Sequence, residues 1–140
     1  MQTYSMSARM PGSPVAAWRW LSDVERWPEW CPTFDAVKLL DHPMKVGARA
    51  RILQPGMRPT TWVVDLWEPS RRFRWSARHP GIRVSGDHEL IANATDVTVT
   101  LTLTYTGLLA PLMRKMLERR SHEYLSRELD ALQEVIRSQE

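Results

Sequence analysis

DVTVTLTLTYT, residues Asp96–Thr106, is the stretch that decides the fold. Val97, Val99, Leu101, Leu103 and Tyr105 fall on one side of it, and Thr98, Thr100, Thr102, Thr104 and Thr106 on the other. A strict period of two predicts a strand with one face on a core and the other in water. At ~3.4 Å per residue such a strand reaches ~35 Å. Gly107 ends it. From Leu112 to Glu140 the chain then contains no Gly or Pro, and Pro111 is placed as a first-turn helix residue. Met113, Met116, Leu117, Tyr124, Leu125, Leu129, Leu132 and Ile136 form an apolar stripe. Arg114–Glu118 and Glu123–Arg127 are spaced for i,i+4 pairing on the opposite side. At 1.5 Å per residue this helix is ~40 Å long, the length of the strand. One long helix can therefore lie across one face of a strongly bent antiparallel sheet.

Upstream, Thr3–Met10 alternates weakly and is a first strand broken by Pro11-Gly12. Ser13 is a good N-cap with Pro14 at the first helical position. Val15, Trp18 and Leu21 recur at helical spacing, which predicts a short helix over Ser13–Leu21 with those three buried. Asp23 is placed to cap a second short turn, Val24–Trp27, stopped by Pro28. Pro28 and Pro32 bracket Trp30 and Cys31 in an extended or turn conformation. Strands follow over Phe34–Leu40, Ala48–Gln54, Thr60–Trp67, Phe73–His79 and Ile82–Ala92, separated by Pro, Gly, Asn and Asp. The order is one strand, two short helices, six strands and one long helix, which is α+β. A curved sheet around one helix leaves a gap between them, where an apolar ligand can sit.

The 140 residues suit a single domain. Hydrophobic residues at 43% and charged residues at 25% exclude a disordered chain. No stretch reaches the ~20 apolar residues of a membrane-spanning helix. Met1–Met10 lacks the apolar core of a signal peptide. Cys31 is the only cysteine, which excludes an intrachain disulfide and argues for the reducing cytoplasm. With four scattered histidines it makes no metal site, so neither metal nor cofactor is expected. The net charge of +3 is too small to imply nucleic acid. Basic residues nevertheless dominate from Lys45 to Arg83, where Asp65 and Glu68 are the only acids. Seven tryptophans indicate a core or pocket built from large rings.

Several motifs resemble a known family. These are Ser13-Pro14-Val15 leading to Trp18, then Leu21-Ser22-Asp23 and Val24-Glu25-Arg26-Trp27-Pro28-Glu29-Trp30. Val46-Gly47, Val64 five residues before Pro69, and Gly107-Leu108 before the last helix follow in order. Together they resemble the START/Bet v 1-like (SRPBCC) superfamily, in its bacterial polyketide cyclase/dehydrase-like branch, over essentially the whole chain. The resemblance implies a helix-grip fold: a curved, antiparallel, seven-stranded sheet wrapped round a long C-terminal helix, with two short helices after the first strand. It also implies a small-molecule cavity across residues 1–140. It implies no reaction, because the superfamily spans lipid and hormone binders, aromatase/cyclases and coenzyme Q chaperones without a shared catalytic motif.

Alternation extends the inward face to Trp62, Val64 and Leu66; to Phe73, Trp75, Ala77 and His79; and to Ile82, Val84, His88 and Leu90, with Gly86 leaving room beside His88. Leu101, Leu103 and Tyr105 continue it, and the helix adds Met113, Met116, Leu117, Tyr124 and Glu128. Each is a ligand contact or core packing. An inward His88 needs a hydrogen bond and titrates near working pH, so it is a general base for an aldol-type cyclisation, a hydrogen-bond donor to a ligand carbonyl, or a core histidine satisfied by Tyr105 or Tyr124. Trp62 and Trp75 suit a flat aromatic ligand. Ala48, Ala50 and Ile52 inward leave Arg51 outward.

Three functions fit. The first is a cytoplasmic binder of an apolar, aromatic or polyketide-like molecule. The second is a cofactor-free cyclase, aromatase or dehydratase using His88 with Tyr105 or Tyr124. The third is an interaction module whose Arg72, Arg74, Arg78 and Arg83 face meets an acidic protein. The oligomeric state is open.

Overall fold

The computed structural model describes residues 1–139. In chain order the elements are β1 (Gln2–Pro11), α1 (Pro14–Ser22), a 3-10 turn (Val24–Arg26), α2 (Trp27–Trp30), β2 (Ala36–Leu39), β3 (Arg49–Leu53), β4 (Thr60–Glu68), β5 (Arg72–His79), β6 (Ile82–Ala92), β7 (Asp96–Thr106) and α3 (Arg114–Ser138). The strands make one seven-stranded antiparallel sheet in the order β1-β7-β6-β5-β4-β3-β2. This is the expected helix grip.

The long strand behaves as its alternation predicts. Val97 and Val99 are fully buried and Leu101 nearly so. Its threonines face outward against serines of β1: Ser5 and Thr102 hydroxyls lie 2.9 Å apart, Ser7 and Thr100 2.7 Å. Such cross-strand hydroxyl pairs stabilise the register of the first and last strands. On the inner side α3 packs against β1 and β7 and touches α2. Leu117, Ser121, Leu125, Leu129, Leu132 and Ile136 are its buried residues. Because the helix leans toward the β1–β7 side, the concave face of the middle strands is left partly uncovered.

An aromatic cluster occupies the other end of the grip. The Ser13 hydroxyl caps α1 by accepting from the Ala16 N–H at 3.2 Å. Trp18 of α1 meets Trp67 at 5.0 Å and Phe73 at 5.9 Å between ring centroids. Trp27 of α2 lies 5.0 Å from Phe34 and 5.2 Å from Trp75, and its indole N–H donates to the Trp20 carbonyl.

Local departures from the alternation have physical causes. A β-bulge between Val64 and Leu66 shifts the β4–β5 register, so Leu66 pairs with Arg74 on the outer face while Trp67 pairs with Phe73 inside. Leu66 is therefore not an inward residue. Val15 is 52% exposed, and Ala17 joins Trp18 and Leu21 as the buried face of α1. Pro28 does not stop a helix but sits in the first turn of α2, where its missing N–H costs nothing, and Trp30 is helical rather than extended. The Asp23 side chain caps nothing; it lies 4.0 Å from Arg26. β2 and β3 are each shorter than expected. Pro111 precedes α3, which starts three residues later, and Glu140 lies outside the described residues. Glu123 and Arg127 pair at 2.9 Å, whereas Arg114 and Glu118 form no ion pair among the described residues.

Phe73 is the largest wholly buried side chain. Phe73→Ala is expected to lower the unfolding free energy by about 3–5 kcal/mol in urea titrations. Val15→Ala, on the face the helical spacing would bury, is expected to change it by less than about 0.5 kcal/mol.

Candidate functional site

The uncovered part of the sheet and α3 enclose a cavity of about 420 Å³. Its floor is Trp75, Val84, Gly86, His88, Leu103 and Tyr105, and its helical wall is Leu117, Tyr124 and Glu128. At the mouth stand Met57, His79, Pro80, Leu109, Met113, Met116 and Arg120. Most of this lining is apolar, and the volume suits a small organic molecule.

The sequence placed Trp62, Trp75, His79, Val84, His88, Leu103, Tyr105, Met113, Met116, Leu117 and Tyr124 inward, and all line the cavity. Val64, Phe73, Leu90 and Leu101 do not. They are buried in the core, behind the aromatic cluster or beneath the short helices. Met113 and Met116 are half-buried at the mouth rather than part of the helix's buried stripe. Alternation names a face but not how far along it the helix has moved away. Trp27, Phe34, Gln54, Met57, Leu109 and Arg120 were missed as cavity residues. All but Arg120 come from turns and short elements, where no period exists to read; Arg120 lies on α3 but is charged, so the apolar stripe passed over it. Ile82, Gly86 and Glu128 were legible by spacing.

His88 is the most constrained polar group. Its ring lies flat on Phe73, with centroids 4.1 Å apart and planes 9° apart. Its Nδ1 lies 3.3 Å from the Phe73 carbonyl. A carbonyl only accepts, so Nδ1 carries the hydrogen, and the neutral ring keeps Nε2 as an acceptor. Burial pushes the imidazole pKa down to about 4, against the hydrogen bond to Phe73, which raises it. His88 is therefore neutral at working pH and is satisfied by backbone, not by Tyr105 or Tyr124. The Tyr105 hydroxyl instead meets Ser121 Oγ at 3.0 Å, and Tyr124 donates to Met57 Sδ at 3.8 Å, closing the β3–β4 turn over the mouth. Burial raises the Tyr105 phenol above its usual pKa.

Glu128 is the acidic group of the cavity. Burial raises its pKa to about 7, opposed by the hydrogen bond from Thr33 Oγ1 at 3.4 Å. Thr33 in turn lies 3.2 Å from Cys31 Sγ, a thiol that burial keeps protonated. The Thr33 donor favours the carboxylate, but burial outweighs it, so Glu128 is largely a neutral acid below neutrality. A small recess behind it is lined by Trp30, Leu21, Leu132 and both Glu128 and His88. Among the described residues, the buried indole N–H groups of Trp30 and Trp62 have no hydrogen-bond partner. Trp62 lines the cavity, with its unpartnered N–H sealed from solvent. No group of His, Cys, Asp or Glu among the described residues could hold a metal.

On the outer sheet face the arginines are mostly engaged. Arg72 forms a bidentate pair with Asp87; Arg74 meets Asp65 at 2.7 Å and Arg83 meets the same carboxylate at 3.7 Å. Arg78 has no ion pair among the described residues. No described helix is long and apolar enough to cross a membrane.

A helix-grip sheet with an apolar cavity under its last helix defines the class of protein. The chain belongs to the polyketide cyclase/dehydrase and lipid transport family, whose family model matches residues 1–137. The structure is similar to the ZhuI aromatase/cyclase from Streptomyces sp. R1128, at 18% identity over 97% of this chain and 93% of that one, with a TM-score of 0.78. It is similar to the di-domain ARO/CYC StfQ of the steffimycin biosynthetic pathway, at 13% identity over 98% of this chain and 51% of that one, TM-score 0.80. Ara h 8.0201 shares the fold at 11% identity, 98% coverage of both chains and a TM-score of 0.72. No curated protein sequence matches the chain.

The two perturbed groups bind protons oppositely on folding. Between pH 4.5 and 6.5 the folded chain holds a proton on Glu128 that the unfolded chain has released, and lacks one on His88 that the unfolded chain carries. Glu128 makes stability fall as pH rises from 4.5 to about 7, and His88 makes it rise from about 4 to 6.5, so the slopes offset in the shared window. Glu128→Gln is expected to gain stability relative to the parent with rising pH across its window, on the order of 1 kcal/mol per pH unit. His88→Phe is expected to show the opposite trend. Urea unfolding at stepped pH checks both.

Proposed function

We propose that the protein binds a flat, largely apolar, uncharged small molecule carrying both hydrogen-bond acceptors and a hydroxyl donor, such as a hydroxylated aromatic ketone of polyketide type. The observation that carries this reading is the donor and acceptor set in the cavity. Glu128 offers a carboxyl that burial keeps neutral below about pH 7, His88 Nε2 a lone pair, and Trp62 an unpartnered N–H that a small turn of its ring would bring to a ligand. Around them Trp27, Trp62 and Trp75 supply ring faces for a planar ligand. An anionic ligand would be disfavoured deep inside, because Arg120, the one Arg or Lys among the described lining residues, stands at the mouth.

A second reading, a cofactor-free cyclase or dehydratase, is favoured by Glu128. A carboxyl with a pKa of about 7 is populated in both forms near neutrality, the condition for moving protons in either direction. As carboxylate, Glu128 would take a proton from the carbon between two carbonyls. The resulting enolate would attack a further, more distant carbonyl of the same chain, forming the ring carbon–carbon bond as that carbonyl's π bond breaks to an alkoxide. The alkoxide so formed would take the proton back from Glu128. In this reading the acid/base group is Glu128, with His88 and Tyr105 as hydrogen-bonding partners.

Isothermal titration and thermal melting with hydroxylated aromatic ketones, flavonoids and quinones test the binding reading. At least one class is expected to raise the melting temperature saturably, since a ligand selective for the folded state stabilises it. Val84→Trp, which fills the cavity floor, is expected to abolish that shift. Trp62→Phe is expected to weaken binding roughly tenfold by removing one donor. A panel without any saturable shift would reject this reading. Glu128→Gln with binding kept and turnover lost would select the cyclase.

A further inference from the structure

We propose that the turn between β7 and α3 docks the cavity mouth onto an anionic lipid surface. This turn, residues 107–113, carries Leu108 at 90% exposure and Leu112 at 82%, with Leu109 at 41% beside them. Single exposed leucines are ordinary, but two nearly bare ones on one short turn are not.

The turn is built to hold them outward. The Leu109 N–H donates to the Gly81 carbonyl at 2.9 Å, and the Gln2 side-chain amide donates to the Ala110 carbonyl at 2.7 Å. Ala110 is buried, and the Met113 N–H closes the turn onto the Leu109 carbonyl at 3.2 Å. Gly81 and Gly107 both have positive φ, and a Cβ at Gly107 would meet the Gly81 oxygen at 2.5 Å. These tethers fix Leu109 and Ala110 against the body, so Leu108 and Leu112 project beyond it.

The charge around the leucines matches phosphate headgroups. Arg114, Lys115, Arg119 and Arg120 follow within two turns of α3, against one acid, Glu118, so this stretch alone carries as much net positive charge as the whole chain, +3. None of the four cations forms an ion pair among the described residues, unlike Arg72, Arg74 and Arg83 on the outer sheet face. Apolar tips that enter the acyl boundary with a basic collar at headgroup level are the pattern of a surface-bound, non-spanning protein. A protein partner of acidic character would use the cations but would need a pocket for each projecting leucine. The cavity opens here as well: Leu109, Met113, Met116 and Arg120 line both the turn region and the mouth. An apolar ligand dissolved in a bilayer could thus enter without crossing water.

The test is flotation of the purified full chain with vesicles of phosphatidylcholine alone or with about one third phosphatidylglycerol. The protein is expected to float with the anionic vesicles only, and to release as salt rises. Leu108→Asp with Leu112→Asp is expected to cut binding by at least roughly tenfold. Arg114→Glu with Arg119→Glu is expected to do the same. Arg78→Glu on the outer sheet face is expected to change nothing. None of these five residues lines the cavity, so an unchanged melting temperature and unchanged small-molecule binding separate this result from failure of the cavity reading. Absence of flotation, flotation insensitive to the leucine pair, or capture of an acidic protein without vesicle binding would overturn the proposal.

Discussion

The flat contact between His88 and Phe73 is the constraint on which the interior depends. Centroids 4.1 Å apart leave no room for water between the rings, and the Phe73 carbonyl takes up Nδ1–H at the same time. This one residue pair links β5 and β6 through backbone register, ring face and hydrogen bond. Trp27 and Trp75 pack around it at 5.5 and 6.1 Å from the imidazole. The short helices therefore dock on a rigid aromatic block rather than on the open sheet. The block fills one end of the grip, while α3 rests on the β1–β7 side, and the space that neither fills is the cavity.

The same packing sets the electrostatics. Removing water from His88 disfavours its cation, and removing it from Glu128 disfavours its anion. His88 thereby becomes a neutral hydrogen-bonding group near neutral pH, and Glu128 one that is neutral below about pH 7. A cavity of this kind discriminates through donor and acceptor placement, because each group left unpaired inside costs its lost hydration. The structure keeps fixed charge on the outside, where Asp65 and Asp87 engage the sheet arginines and the cations of α3 collect near the mouth.

Where alternation was unbroken, the fold was legible from the chain. Asp96–Thr106 has the bounds its threonines announced, and Ile82–Ala92 likewise. Reading failed where a single residue changes the phase. The bulge after Val64 sends Leu66 outward and brings Trp67 onto Phe73, and nothing in Thr60–Glu68 marks it. Pro28 read as a stop because a proline can end one helix or begin the next, and only the backbone before it decides which.

The sequence by itself determined the element order, the inward face of each regular strand and the apolar side of the last helix, because these follow from periods of two and 3.6. It also set His88 and Tyr105 on one face of the sheet and Tyr124 beside the apolar stripe of the last helix, by the same rule. Only the tertiary structure decided which inward residues meet a cavity and which meet core, for that depends on where α3 lies across the sheet. It decided the protonation of His88 and Glu128 as well. Composition carries no information about desolvation, which is a property of everything packed around a group and not of its neighbours in the chain.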